Sequence, residues 1–308
     1  MTTTLTAPAK TGAAPGRRRS RIPHKGAIAF LFLPFGVLFA LFYVAPIAYA
    51  FWQSLLVVRR EGTFGKAELV FGGFAQYVQV FQDSAFWNSM GRMLLFGVVQ
   101  VPIMLGLALL FALLLDSPLV KGKRFFRLAF FVPYAVPGVI AAIMWGSLFS
   151  PNLSPFTAIT KNIDFLGADL VLWSIANVVT WVYVGYNMLI IYSSLLSIPT
   201  ELYEAARLDG AGQWRIAWSI KIPLVRPAIV MTAIFSIIGT LQLLAEPQVF
   251  RSFSSAVAST FTPNMTVFAT ASIPNTNLAA AFSVVLAVTT FVLSFGFMKY
   301  MQRKEQNA

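Results

Sequence analysis

Residues 201–212 read ELYEAARLDGAG, a charged, glycine-ended segment standing between two long apolar runs, 170–196 and 228–247. Glu201, Glu204, Arg207 and Asp209 cluster here in a chain that is 57% hydrophobic and only 11% charged. A water-facing helix held between two water-avoiding segments is the arrangement that the rest of the sequence has to explain.

A soluble domain carries about a quarter charged residues, so the composition and a strongly positive mean hydropathy point to a membrane protein. The hydrocarbon core of a bilayer needs about 20 apolar residues of helix. Six such windows are present, at roughly 27–51, 93–115, 128–149, 170–196, 228–247 and 278–298. The expected fold is therefore all-α and polytopic, with six transmembrane helices over 27–300. The Ser/Thr-rich stretch SFSSAVASTFTPNMT after Arg251 is too polar to face lipid. Pro133 and Pro137 predict a kink in the third span, since each removes a backbone donor.

Lysine and arginine favour cytoplasmic connections. The N-terminal tail, the second and fourth connections and the C-terminus hold 17 of them; the alternate connections hold five, and Arg92 lies at a span edge. This bias predicts cytoplasmic termini and a cytoplasmic 197–227 loop in a multi-pass protein of the cytoplasmic (inner) membrane. Residues 1–26 read as a disordered basic tail near anionic lipid, and 301–308 as a short cytoplasmic tail. Ala48-Tyr49-Ala50 resembles a signal-peptidase site, but the apolar run before it is too long for a signal core, so an uncleaved first span is expected. The net charge of +12 is spread in clusters flanking the apolar runs, which argues for membrane lipid as neighbour and against nucleic acid.

Within the loop, Pro199 stops the preceding span and Thr200 is placed to cap a helix starting at Glu201. Glu204 and Arg207 are spaced to pair at i, i+3. Asp209-Gly210 ends the helix, glycine supplying the left-handed conformation. A second helix is expected from about Ala211 to Ile220, closed by Pro223 and Pro227. With Ala205 and Ala206 lacking bulk, the first helix suits insertion into a cleft of a soluble partner. It equally suits a surface helix resting Leu202, Tyr203 and Ala206 on lipid headgroups.

EAARLDGAGQWRIAWSIKIP (204–223) resembles the EAA signature of bacterial ABC-importer membrane subunits: Glu204, Ala205, Ala206, Gly210, Ile220 and Pro223 fall in register, and Ile222 replaces the usual leucine. FGGFAQYVQVFQDSAFWNSM and FRLAFFVPYAVPGVIAAIMW are similar to the segment before the second span and to the third span of sugar-importer permeases. The resemblance implies a type I ABC importer permease fold in which Glu204, Ala205, Ala206, Asp209 and Gly210 belong to a coupling helix docked on an ATPase subunit. It further implies a heterodimer with a second permease, two ATP-binding subunits carrying ATP and Mg, and an extracytoplasmic solute-binding protein. The C-terminus MKYMQRKEQNA favours the maltose-permease F-like type.

No G-x-x-x-x-G-K-[ST] phosphate loop occurs, so ATP hydrolysis is assigned to a separate partner and no cofactor or metal to this chain. There is no cysteine, and the one histidine is His24 in the tail. That leaves an intramembrane enzyme few acid–base or nucleophilic groups. A sugar pathway needs uncharged polar and aromatic side chains at membrane depth. Tyr183, Tyr186 and Asn187 share one face of the fourth span, and Ser236, Gly239, Thr240 and Gln242 form a polar stripe on the fifth. Registered on the EAA loop, the resemblance places Tyr186, Gly239 and Gln242 at solute-contact positions. Helix–helix packing is the competing use of the same polar residues, and Gln100 is assigned to packing. Glu246, beside Pro247 and near Arg251, reads as half of an interfacial ion pair, with Arg92 as a second candidate cation. The alternative function class is an ion-coupled carrier or channel for a small polar solute, which commonly carries buried charges that are scarce here.

Overall fold

A computed structural model describes residues 25–60, 66–272 and 275–306. Residues 1–24 of the expected basic tail and residues 307 and 308 lie outside the described residues. The chain divides into two units, Met1–Tyr49 and Ala50–Ala308. In the first, α1 (Lys25–Phe39) passes through a π-helical turn (Ala40–Val44) into the start of α2 (Ala45–Ser54). Phe35, Phe39 and Tyr43, spaced at i, i+4, stack with ring centroids 6.0 and 5.4 Å apart. The π turn closes with Ala45 N–H donating to Ala40 O, one residue before Pro46.

In the second unit a hairpin follows α2, with β1 (Leu56–Arg60) antiparallel to β2 (Ala67–Phe71) and Leu56 opposite Phe71. This hairpin is an addition to the all-helical expectation. Its strands are short and place Arg59 opposite Glu68 in the register, a charged pattern that hydropathy windows do not detect. Next come α3 (Ala75–Gln82) and α4 (Ser84–Asp116). The Asp83 side chain accepts from Phe86 N at 2.9 Å, so capping starts α4 well before its apolar window begins.

The third span is broken rather than kinked. α5 (Lys123–Ala135) and α6 (Gly138–Phe149) meet at 94°. Val136, which precedes Pro137, is driven out of the helical region to φ −77°, ψ 125°. After α7 (Thr157–Thr160), α8 (Val171–Leu196) matches the expected fourth span. Then follow α9 (Thr200–Leu208), α10 (Gln213–Ile216), a second π turn (Ala217–Lys221), α11 (Ile222–Leu241), α12 (Ala245–Phe250), α13 (Pro263–Ser272) and α14 (Thr276–Gln306).

Pro223 and Pro227 do not close a separate loop helix. α10 and α11 run on through the π turn, in which Ile222 N–H donates to Ala217 O, five residues back. The widened turn lets Pro223, which has no donor, enter the first turn of α11. Among the described residues five helices are long and apolar enough to cross a membrane, and counting the bent α5–α6 pair as one more gives six.

Helices in lipid gain nothing by exchanging lipid tails for one another, so their association rests on close packing. Among the described residues three clusters supply it, the smallest being Val101, Leu105 and Ala233. One buries Phe86 and Phe96 of α4, Ile175 and Val178 of α8, Phe250 of α12 and Phe282 of α14. Another, at the α9 end, sets Ala108, Ala112 and Leu115 against Met188, Ile191, Leu195 and Val225. At Gly185 the α8 backbone approaches α5 so closely that a Cβ would lie 1.7 Å from the Phe130 carbonyl oxygen.

Candidate functional site

The loop helix α9 is short and amphipathic. Thr200 is its first residue, and no side chain caps it; Pro199 occupies the cap position, contrary to the expected threonine cap. At the other end Gly210 takes φ +79°. Ala211 N then donates to Ala206 O (2.9 Å) and Gly210 N to Arg207 O (3.0 Å), the bonding of a Schellman cap. Glu204, Ala205, Asp209 and Gly210 are exposed, Tyr203 and Ala206 half-buried. The proposed Glu204–Arg207 pair does not form; close by, Lys221 Nζ pairs with Asp116 Oδ2 at 2.5 Å. Leu202 stays exposed, so of the three residues offered to headgroups only Tyr203 and Ala206 turn toward protein.

A second candidate lies deeper among the helices. α4, α8 and α11 enclose a cavity of about 140 Å³ on which Tyr183, Tyr186, Asn187, Ser236, Gly239 and Thr240 converge. Gln242 does not join them. It lines a separate groove with Thr290 and Ser294, and its carbonyl accepts from Asn264 Nδ2 at 2.8 Å. The reason is helical geometry: Gln242 follows the last residue of α11, where φ and ψ leave helical values.

Part of the polar lining is already committed. Asn187 Nδ2 donates to Tyr183 O (3.1 Å) and Ser236 Oγ to Thr232 O (2.8 Å), so packing claims some of these groups. Gln100, assigned to packing on sequence, also lines the cavity. Its Nε2 donates to Thr180 Oγ1 at 3.1 Å and to Met104 Sδ at 3.4 Å, while its buried Oε1 has no partner. Tyr134 was missed altogether. Its ring stacks on Tyr186 at 4.6 Å and meets Tyr183 edge-on at 5.8 Å, brought there by the break after α5. The only sequence signal was its place between Pro133 and Pro137. A larger groove of about 640 Å³ between α4, α11 and α14 is lined almost wholly by apolar side chains, with Thr240 as its one hydroxyl, and offers little to a polar solute.

Glu246 is 5% exposed and belongs to no ion pair among the described residues, which corrects the interfacial-pair reading. Arg92 is occupied elsewhere: Nη1 donates to Phe261 O at 2.7 Å, with the guanidinium 4.4 Å above that residue's ring. Arg251 is exposed. The Glu246 carboxylate instead abuts the start of α6, where a Cβ on Gly138 would come within 2.8 Å of Oε1.

Residues 104–306 match the family model described as the binding-protein-dependent transport system inner membrane component. The chain is a member of this permease family. It is 33% identical over 239 residues to the lactose transport system permease protein LacF of Rhizobium radiobacter, covering 74% of this chain and 80% of LacF. It is 26% identical over 306 residues to the diacetylchitobiose uptake system permease protein NgcF of Streptomyces coelicolor, covering 93% and 85%. It is 31% identical over 210 residues to the sn-glycerol-3-phosphate permease UgpA of Agrobacterium fabrum, covering 67% and 70%. The fold is that of a crystallised bacterial ABC transporter involved in import of the acidic polysaccharide alginate, with TM-score 0.72, 17% identity, and 90% and 96% of the two chains covered. The permease is thus a membrane-spanning ABC transporter subunit and not an enzyme; the ATPase of such a system is a separate subunit.

Proposed function

We propose that this permease is one of two different membrane subunits of an ATP-driven importer for a sugar, an oligosaccharide or glycoside, of the maltose-permease F-like type. Two ATP-binding subunits grip α9, through Glu204, Ala205, Ala206, Asp209 and Gly210, and an extracytoplasmic binding protein delivers the solute. The termini and α9 face the cytoplasm, residues 27–300 form the transmembrane domain and 197–227 its coupling loop. ATP and Mg reside on the partners.

The observation that carries the solute reading is the cavity lining. It holds hydroxyls, amides and the rings of Tyr183 and Tyr186, the latter backed by Tyr134, and no lysine, arginine, aspartate or glutamate. Sugars are bound by that combination, aromatic faces for C–H surfaces and neutral hydrogen-bonding groups for hydroxyls. The solutes named for two relatives, lactose and diacetylchitobiose, present such C–H surfaces and hydroxyls. α9 supports the coupling half, since its capped end and exposed Glu204 and Ala205 leave a rigid helix open to a partner.

The test is uptake of labelled lactose and diacetylchitobiose by proteoliposomes holding the permease, its membrane partner and the ATPase, with binding protein outside. We expect uptake of one of them to require ATP and to survive collapse of the ion gradients. Tyr186→Ala should raise its KM about 5–30-fold, the effect of losing 1–2 kcal/mol of contact. Uptake that persists without the ATPase and collapses with an ion gradient would instead make the protein an ion-coupled carrier.

A further inference from the structure

α9 has to pass any displacement on to the membrane helices, and few of its side chains reach them. Glu201, Leu202, Glu204, Ala205, Arg207 and Leu208 are exposed. Tyr203 points the other way. Its hydroxyl is buried without a hydrogen-bond partner, and its ring lies 5.1 Å from Lys221 Nζ. Lys221 is only 7% exposed, and its ammonium is neutralised by Asp116 at 2.5 Å. Asp116 is the last residue of α4, and its carbonyl accepts from Lys123 Nζ at the start of α5, at 3.3 Å. Lys221 is the last residue of the π turn that leads into α11. One cluster therefore touches the loop helix and the ends of two long membrane helices.

We propose that Tyr203, Lys221 and Asp116 form the joint through which movement of α9 reaches α4 and α11 together. This rests on the coupling role given to α9 above. The chemistry suits a joint. Removing two charges from water is costly, and the cost is recovered only while the ammonium and carboxylate stay together. A cation held over an aromatic face adds attraction that grows with desolvation. Lys221 therefore cannot follow α9 without drawing Asp116 along. The π turn, with its wider hydrogen-bond register, carries Lys221 and joins α10 to α11, at a kind of site where helices change direction. A cluster that merely stabilised the bundle would need no residue of the loop helix; Tyr203 supplies one.

All three are positioning residues, so the test separates coupling from folding. The chain has no native cysteine, and Gly239→Cys puts a single thiol at the cavity, where a Cβ meets open space. Maleimide labelling of this thiol is measured in the assembled, reconstituted importer, without nucleotide and with ATP plus vanadate. We expect nucleotide to change the labelling rate about fivefold or more, the range of ordinary coupling between sites. Tyr203→Phe should keep that response, because the ring remains. Tyr203→Leu, and the double variant Asp116→Asn with Lys221→Met, should abolish it at unchanged membrane level and ATPase binding. A full response in both variants overturns the joint while leaving the coupling role of α9 intact. Variants that lose membrane insertion or ATPase binding would make the cluster a fold support and also overturn it. If the parent Gly239→Cys complex binds no ATPase or shows no nucleotide response, the coupling role itself falls, and the joint with it.

Discussion

A buried amide whose nitrogen is committed and whose oxygen is free can only receive, and Gln100 is in that condition, facing the cavity from α4. A solute hydroxyl is a suitable donor for it. We expect Gln100→Leu to raise the KM for uptake about fivefold, the worth of one net hydrogen bond of roughly 1 kcal/mol, with membrane level unchanged. An unchanged KM at wild-type expression would return Gln100 to helix packing. Gly185 gives a contrasting case. A methyl group there would overlap the Phe130 carbonyl, and overpacking of this kind costs about 1–3 kcal/mol. Gly185→Ala should therefore lower thermal stability in detergent, by scanning fluorimetry, before it touches specificity. Of these residues, Tyr183, Tyr186 and Asn187 were legible from spacing along one helix, because helical period alone puts them on one face. Gln100 and Tyr134 were not. One needed knowledge of which α4 face meets α8, and the other needed the turn after α5.

Elements differ in how far sequence determines them. α8 follows its apolar window almost residue for residue, because the window and the Pro199 stop after it coincide. α4 does not: an Asp83 cap outside the apolar window starts it early. The continuity of α10 and α11 depends on a π turn, a change of register that proline positions suggest only after the hydrogen bonds are seen. The end of α9 was readable, since only glycine reaches φ +79° without strain. Gly210→Ala should cost about 1–2 kcal/mol at that cap and speed amide exchange in α9, measured by hydrogen–deuterium exchange. Tyr203 adds a pH signature. Burial first, and then the Asp116 carboxylate, raise its phenol above the ordinary value of 10.0. A raised folded-state value means the stabilising contribution is whole below pH 10 and drains away as pH climbs toward the shifted value. Protection of α9 against exchange should fall above pH 10, and Tyr203→Phe should remove that fall. A profile identical in both proteins would place the alkaline transition in another group.

At the scale of the molecule, five membrane-length helices, the apolar α5–α6 stretch and a loop helix came out of hydropathy and charge because a bilayer imposes length and polarity on whatever crosses it. The sharp break between α5 and α6 and the hairpin β1–β2 did not, because each is a local backbone feature that a hydropathy window averages away, and the place of Glu246 against Gly138 did not, because it joins segments distant in sequence. The coupling proposed for α9, by contrast, concerns partners outside this chain. The direct measurement is site-specific cross-linking from that helix: Ala205→Cys, labelled with a photoactivatable probe in the assembled importer, with and without ATP. We expect a covalent adduct to the ATPase subunit whose yield changes with nucleotide. A complex that transports solute normally while Ala205 never cross-links to the ATPase would contradict a coupling role for this helix.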